Sequence, residues 1–111
     1  MSTVSTHILD TALGIPAAGV VVSLSQQQDQ GWLPVAQGLT DANGRIADLT
    51  PEPLPPGHYC LTAEIGDYFA AGGRDALYLS ARIDFKLPES GSHYHLPFLI
   101  SPWSWSTYRG S

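Results

Sequence analysis

An all-β sandwich or barrel is the fold class this sequence predicts, and three observations predict it. Apolar residues recur in short alternating runs, Gly, Pro, Asn and Asp separate those runs, and Asn43-Gly44 supplies a strong turn signal. The cleanest run sets Leu79, Ala81, Ile83, Phe85 and Leu87 against Ser80, Arg82, Asp84 and Lys86, the period of an antiparallel strand with one buried face. At 111 residues and 43% apolar composition, the chain is expected to form one domain over 1–111 with a single core.

The elements follow in order. A first strand is read over about Val4 to Asp10. Val20, Val22 and Leu24 alternate with Val21, Ser23 and Ser25 in the next, which gives way at Gln26 to a polar hairpin loop ending at Gly31. Trp32 to Leu39 forms its partner. Asn-Gly tolerates positive φ at both positions, so Asn43-Gly44 is expected to close a tight hairpin whose second strand runs from Arg45 or Ile46 to about Leu49. Pro51, Pro53, Pro55 and Pro56 forbid regular pairing and mark a surface loop. Tyr59, Leu61, Ala63 and Ile65 then share one strand face, opposite His58, Cys60, Thr62 and Glu64. Gly66 to Gly73 is the one place for a helix, short, with Asp67 as N-cap and the glycine pair as its end. The last two strands lie near His93 to Ile100 and Ser104 to Tyr108, with Pro102 at the corner between them.

Composition excludes several classes of function. The net charge is −5, with Lys86 and four arginines as the only fixed cations, so no basic stripe exists to hold a phosphate backbone. Nucleic acid is therefore not an expected partner. Cys60 is the only cysteine, which rules out an internal disulfide and a thiolate metal site, and its strand neighbours suggest a buried, inert thiol. The first residues carry neither a basic region nor an apolar run, and no stretch is long enough to span a bilayer. The expectation is a soluble cytoplasmic protein without membrane contact.

The candidate chemistry gathers at the end of the chain. Chain termini tend to fray, yet the final residues hold His93, His95, Trp103, Trp105, Tyr108 and Arg109. Either a docking strand fills a core or the tail builds a site. Residues two apart on a strand share a face, so His93 and His95 point one way and Tyr94, Leu96 and Phe98 the other. With His7 as a third ligand the pair could bind zinc, or a neutral imidazole could take a proton from water as a general base. Arg45 and Arg109 weigh against a cation and suit a developing oxyanion, provided they meet the histidines in space. Tyr108 offers a phenol to a planar heterocycle and Arg109 a planar fork to carbonyls or anions, or an ion pair with an acidic surface or the Ser111 carboxylate.

Three separated segments resemble one family together. Ser5-Thr6-His7-Ile8-Leu9-Asp10 with Gly14-Ile15-Pro16-Ala17, Thr40-Asp41-Ala42-Asn43-Gly44-Arg45, and His93 to Pro102 with the closing Tyr108-Arg109-Gly110-Ser111 are similar to the motifs of 5-hydroxyisourate hydrolases, the transthyretin-like enzymes of urate catabolism. Gly66-Asp67-Tyr68-Phe69 resembles the family segment before its short helix, while Trp103 and Trp105 replace smaller aromatics and the Pro51–Pro56 loop is individual. The resemblance implies a sandwich of two four-stranded antiparallel sheets with one short helix, assembled as a homotetramer with active sites at the dimer–dimer interface. It implies hydrolysis of 5-hydroxyisourate to 2-oxo-4-hydroxy-4-carboxy-5-ureidoimidazoline without metal or organic cofactor. The residues it implies are His7, Arg45 and His95 as catalytic groups, with His7, Arg45, Tyr108, Arg109 and Ser111 binding substrate. A carrier on the same sandwich and a zinc hydrolase using His7, His93 and His95 are the other readings.

Overall fold

The computed structural model describes residues 1–111 and is mostly β, with one short helix. Ten strands form in chain order: β1 (Thr3–Ser5), β2 (Ile8–Asp10), β3 (Ile15–Pro16), β4 (Val21–Gln28), β5 (Gly31–Leu39), β6 (Gly57–Ala63), β7 (Ala81–Leu87), β8 (His93–His95), β9 (Phe98–Ser101) and β10 (Ser104–Thr107). Helix α1 (Ile65–Ala71) lies between β6 and β7. Two four-stranded sheets run β10-β9-β2-β3 and β5-β4-β6-β7, and β1 pairs with β8 in a separate two-stranded ribbon. Neither the ribbon nor its direction was expected: β1–β8 and β2–β9 are parallel pairs, whereas the sequence suggested antiparallel sheets throughout.

The core lies between the two large sheets. Val22 and Leu24 from β4, Tyr59, Leu61 and Ala63 from β6, and Ile8, Phe98 and Ile100 from the opposite sheet are almost fully excluded from water. This is the alternation read from the sequence, and truncating one of the aromatic members would cost roughly 3–5 kcal/mol. Phe69 and Ile65 of α1 join the same cluster. Cys60 is buried and free, as expected of an inert thiol. No helix is long and apolar enough to cross a membrane.

Local departures from the expected elements have physical causes. The glutamines do not form a loop: β4 continues to Gln28, and Gln26 is paired with Leu33 on one side and Tyr59 on the other. Helix α1 begins at Ile65, so Asp67 sits in its first turn and Glu64 occupies the N-cap without a side-chain bond. The first strand is broken. Pro97 has no N–H to donate, so the partner chain pairs only on either side of it, Leu96 N–H to Ser5 O and Phe98 N–H to His7 O. The break leaves Thr6 and His7 between β1 and β2, with the Thr6 hydroxyl donating to Leu96 O at 2.7 Å.

The Asn43-Gly44 turn forms but no hairpin follows it. Only Gly44 takes positive φ, +75°, while Asp41 Oδ1 accepts from the N–H groups of Asn43 and Arg45. The chain after the turn is captured by the break in the first strand: Ile8 N–H donates to Gly44 O, and Arg45 makes an isolated antiparallel bridge with His7. The proline-rich loop is also tied down, through reciprocal backbone bonds between Ser2 and Leu54.

Candidate active site

Strand pairing places the candidate residues before any side-chain contact is considered. In the parallel register Thr3 lies beside His93 and Ser5 beside His95, so all four side chains project from one face of the β1–β8 ribbon. Adjacent to its end, the His7–Arg45 bridge adds a third histidine and a guanidinium. A further bridge between His95 and Gly110 brings the C-terminal residues to the same place, with Gly110 N–H donating to His95 O at 2.7 Å. Glycine is needed there because a Cβ would lie 2.6 Å from His95 Cδ2. Gly44 is needed at the turn because a Cβ would collide with Ile8 O.

Hydrogen bonds fix the rings. Thr3 Oγ1 lies 2.7 Å from His93 Nδ1, and Ser5 Oγ lies 2.9 Å from His93 Nε2 and 2.8 Å from His95 Nδ1. His95 is half-buried, and with Nδ1 engaged by Ser5 its remaining nitrogen, Nε2, has no hydrogen-bond partner within the chain. His7 Nε2 lies 2.9 Å from Asn43 O. A carbonyl only accepts, so Nε2 of His7 carries a proton and the lone pair of its neutral form is on Nδ1. The two histidines thus offer different nitrogens.

The surroundings of His95 disfavour its charged form. Burial pushes its pKa below the ordinary imidazole value of 6.5, and the Arg45 charge, with repulsion between its imidazolium and those of His7 and His93, pushes it further the same way. A neutral imidazole at physiological pH can accept a proton from water. Arg45 is exposed and has no carboxylate partner within ion-pair distance, which leaves its guanidinium available to an incoming anion or carbonyl.

The tail is less convergent than the histidines. Arg109 makes none of the expected ion pairs; its guanidinium carbon lies 4.2 Å over the Tyr94 ring, with Nη2 3.4 Å from His93 O. Tyr108 and Ser111 are exposed, Tyr108 at 56%. Of the two late tryptophans, Trp105 packs against Phe98 at 6.1 Å between ring centroids, and Trp103 is 64% exposed. The tail therefore does both things the sequence allowed, filling core through Trp105 and flanking the histidines through Arg109 and Gly110. No cavity in this single chain is lined by His7, Arg45 or His95, while Thr3, Ser5 and His93 border a shallow one together with Asp48. No group of three or more His, Cys, Asp and Glu side chains is placed to hold a metal ion.

Sequence reasoning passed over Thr3, the bridging role of Ser5 and the Asn43 carbonyl. The Thr3-x-Ser5 and His93-x-His95 alternations were visible, but only the parallel register makes them one cluster. A second polar group also escaped notice. Asp10, fully buried, accepts from Tyr68 Oη at 2.9 Å, from Leu13 N–H at 3.1 Å and from Arg74. Burial alone would raise its pKa, yet the bonds from Arg74, Leu13 and Tyr68 outweigh that and hold the carboxyl below its ordinary value. This group clamps the α1 region to β2 and stands apart from the histidines.

Comparison with known proteins gives the same direction. Residues 4–110 match the model of the HIUase/Transthyretin family. A structure of Klebsiella pneumoniae 5-hydroxyisourate hydrolase is 53% identical, covering 99% of this chain and 100% of that one with a TM-score of 0.89. The 5-hydroxyisourate hydrolase of Caulobacter vibrioides is 44% identical over the full length of both chains. Sea bream transthyretin, solved in complex with thyroxine, is 33% identical, with a TM-score of 0.90 over 96% of this chain and 93% of that one.

Proposed function

The chain belongs to the HIUase/Transthyretin family, and on that premise we propose that it is a 5-hydroxyisourate hydrolase acting in urate catabolism. The observation that carries this reading is the backbone pairing that gathers His7, Arg45 and His95 at one place, with burial and the neighbouring guanidinium of Arg45 lowering the pKa of His95. In the proposed reaction, His7 Nδ1 and His95 Nε2 position a water and one of them takes its proton. The water oxygen bonds to the ring carbonyl carbon, and Arg45 stabilises the negative charge that moves to the carbonyl oxygen. Collapse breaks the ring C–N bond, the nitrogen takes a proton from the imidazolium, and 2-oxo-4-hydroxy-4-carboxy-5-ureidoimidazoline leaves. General-base assistance of this kind is worth roughly 10²–10⁴ in rate, and removal of an oxyanion partner about 10²–10³.

Tyr108, Arg109 and the Ser111 terminus would bind the heterocycle. Their exposure supports an assembly in which a second copy covers them, and the homotetramer with sites at its dimer–dimer interface supplies that cover. No metal or organic cofactor takes part in this scheme. The carrier reading is favoured by one observation, the TM-score of 0.90 to thyroxine-bound transthyretin, but fold alone does not assign function. A carrier has no use for a base beside a guanidinium. The test is ultraviolet absorbance of freshly made 5-hydroxyisourate with and without protein, against spontaneous decay and with added chelator. Accelerated, chelator-insensitive decay is expected. Decay at the rate of the blank would support the carrier, and chelator-sensitive decay would move the histidines to zinc.

A further inference from the structure

The hydroxyl of Ser5 has two imidazoles within hydrogen-bond distance and no other polar side-chain partner: His95 Nδ1 at 2.8 Å and His93 Nε2 at 2.9 Å. Beyond His93, Nδ1 meets Thr3 Oγ1 at 2.7 Å. The four side chains form an unbroken chain of short contacts leading from half-buried His95 to exposed His93. A hydroxyl has one proton and two lone pairs, so Ser5 can pass a proton only when it accepts from one imidazole and donates to the other, and such a chain has two directions. If His95 Nε2 is the free base, Nδ1–H must donate to Ser5, the Ser5 hydroxyl donates to His93 Nε2, and His93 Nδ1–H donates to Thr3. In the reverse direction Nε2 of His95 carries the proton and is an acid.

We propose that Ser5 is a positioning residue that sets the tautomer of His95 and relays its proton to His93 during the hydrolysis. The relay rests on the hydrolase reading above. The water proton goes to His95 Nε2, the Nδ1 proton of His95 goes to Ser5 Oγ, and the Ser5 hydroxyl proton goes to His93 Nε2. The hydroxide oxygen bonds to the carbonyl carbon and the carbonyl π pair moves to oxygen beside Arg45. One cation has formed, on His93, and His95 is neutral again with a proton on Nε2. When the C–N bond breaks, that proton goes to the ring nitrogen, and the other two protons return along the same path.

The reason for a relay is electrostatic. An imidazolium at His95 would be half-buried and close to Arg45, His7 and His93, and both the burial and the neighbouring cationic groups disfavour the charge. Moving the charge to His93 places it on an exposed ring, where Asp48 lines the same shallow cavity and the hydrogen bond from Arg109 goes to the His93 carbonyl rather than to its imidazole. The second partner of an imidazole is what selects its protonated nitrogen.

The test compares wild type with Ser5→Ala, Ser5→Thr and His93→Phe by steady-state kinetics and by ¹⁵N spectra of the His95 ring at neutral pH. In wild type His95 is expected to carry its proton on Nδ1, and in Ser5→Ala on Nε2. Ser5→Ala and His93→Phe should each lower kcat about tenfold to a hundredfold, as a misplaced catalytic group does, with KM unchanged. Ser5→Thr should restore both tautomer and kcat. An Nε2–H ring in wild type, wild-type kcat in Ser5→Ala or His93→Phe, or no rescue by threonine would overturn the proposal. Wild type that does not consume 5-hydroxyisourate would instead sink the hydrolase reading, while the spectra still judge the hydrogen-bond chain.

Discussion

Gly110→Ala is the sharpest test of how the tail serves the histidines. An added Cβ would lie 2.6 Å from His95 Cδ2 and 3.1 Å from both Cβ and Cγ. Carbon atoms pack at about 3.5–4.0 Å, so the overlap requires a shift on the order of 1 Å. The two nearest relief routes both damage the site. Rotating the His95 ring stretches its 2.8 Å contact with Ser5 Oγ. Lifting the tail breaks the Gly110 N–H bond to His95 O and carries Tyr108, Arg109 and Ser111 away. A misplacement of about 1 Å costs on the order of 10² in rate, equivalent to about 2.7 kcal/mol of barrier. Gly110 lies outside the core cluster, so the stability change should stay within about 0.5 kcal/mol. The assay is 5-hydroxyisourate decay by purified variant and wild type, with denaturant unfolding of both. A variant that unfolds like wild type and retains its kcat to within about threefold, less than 1 kcal/mol of barrier, would refute the reasoning.

Three further outcomes follow from the geometry. Arg45→Ala should lower kcat/KM by about 10²–10³; loss of its positive charge also favours the His95 imidazolium, so the acid limb of the pH–rate profile should move to higher pH, and an unmoved limb would separate Arg45 from His95. Asp10→Asn should cost roughly 2–4 kcal/mol at neutral pH, since it breaks a buried, hydrogen-bonded ion pair. Because the Asp10 pKa is depressed in the folded state, its contribution is present above the ordinary aspartate range and lost as pH falls through the folded value. Denaturant unfolding of the two proteins should therefore converge at acid pH, and a constant gap would contradict this. Gly44→Ala meets both a positive φ and a collision with Ile8 O; it should lower stability by about 1–3 kcal/mol and reduce turnover by displacing the His7–Arg45 bridge, measured as a lower denaturation midpoint and slower decay.

Much of this protein was legible in its sequence because strand periodicity is a local property. The alternation from Tyr59 to Ile65 and from Ala81 to Leu87 follows from side chains pointing alternately to two faces, and Tyr59, Leu61, Ala63, Ile65, Ala81 and Leu87 are buried as expected. Leu79, read as the first buried residue of its run, is instead 85% exposed because the strand begins only at Ala81, and Cys60 on the opposite face is buried as well. The glycines after Ala71 and the prolines after Thr50 act on their own backbone, so the short helix and the irregular loop could be read directly. His93 and His95 sharing a face followed from their spacing alone.

Pairing is not local, and it decided the rest. Nothing in the run Val4 to Asp10 says that it breaks at Thr6 and His7, because the cause is Pro97 on a neighbouring strand. The expected hairpin at Asn43-Gly44 failed because Gly44 O and Arg45 found partners in Ile8 and His7, more than thirty residues earlier in the chain. The same event creates the candidate site. The sequence determined which side chains were available for chemistry; only the parallel register of β1 and β8 placed Ser5 between two histidines, since register depends on long-range contacts that no single segment encodes.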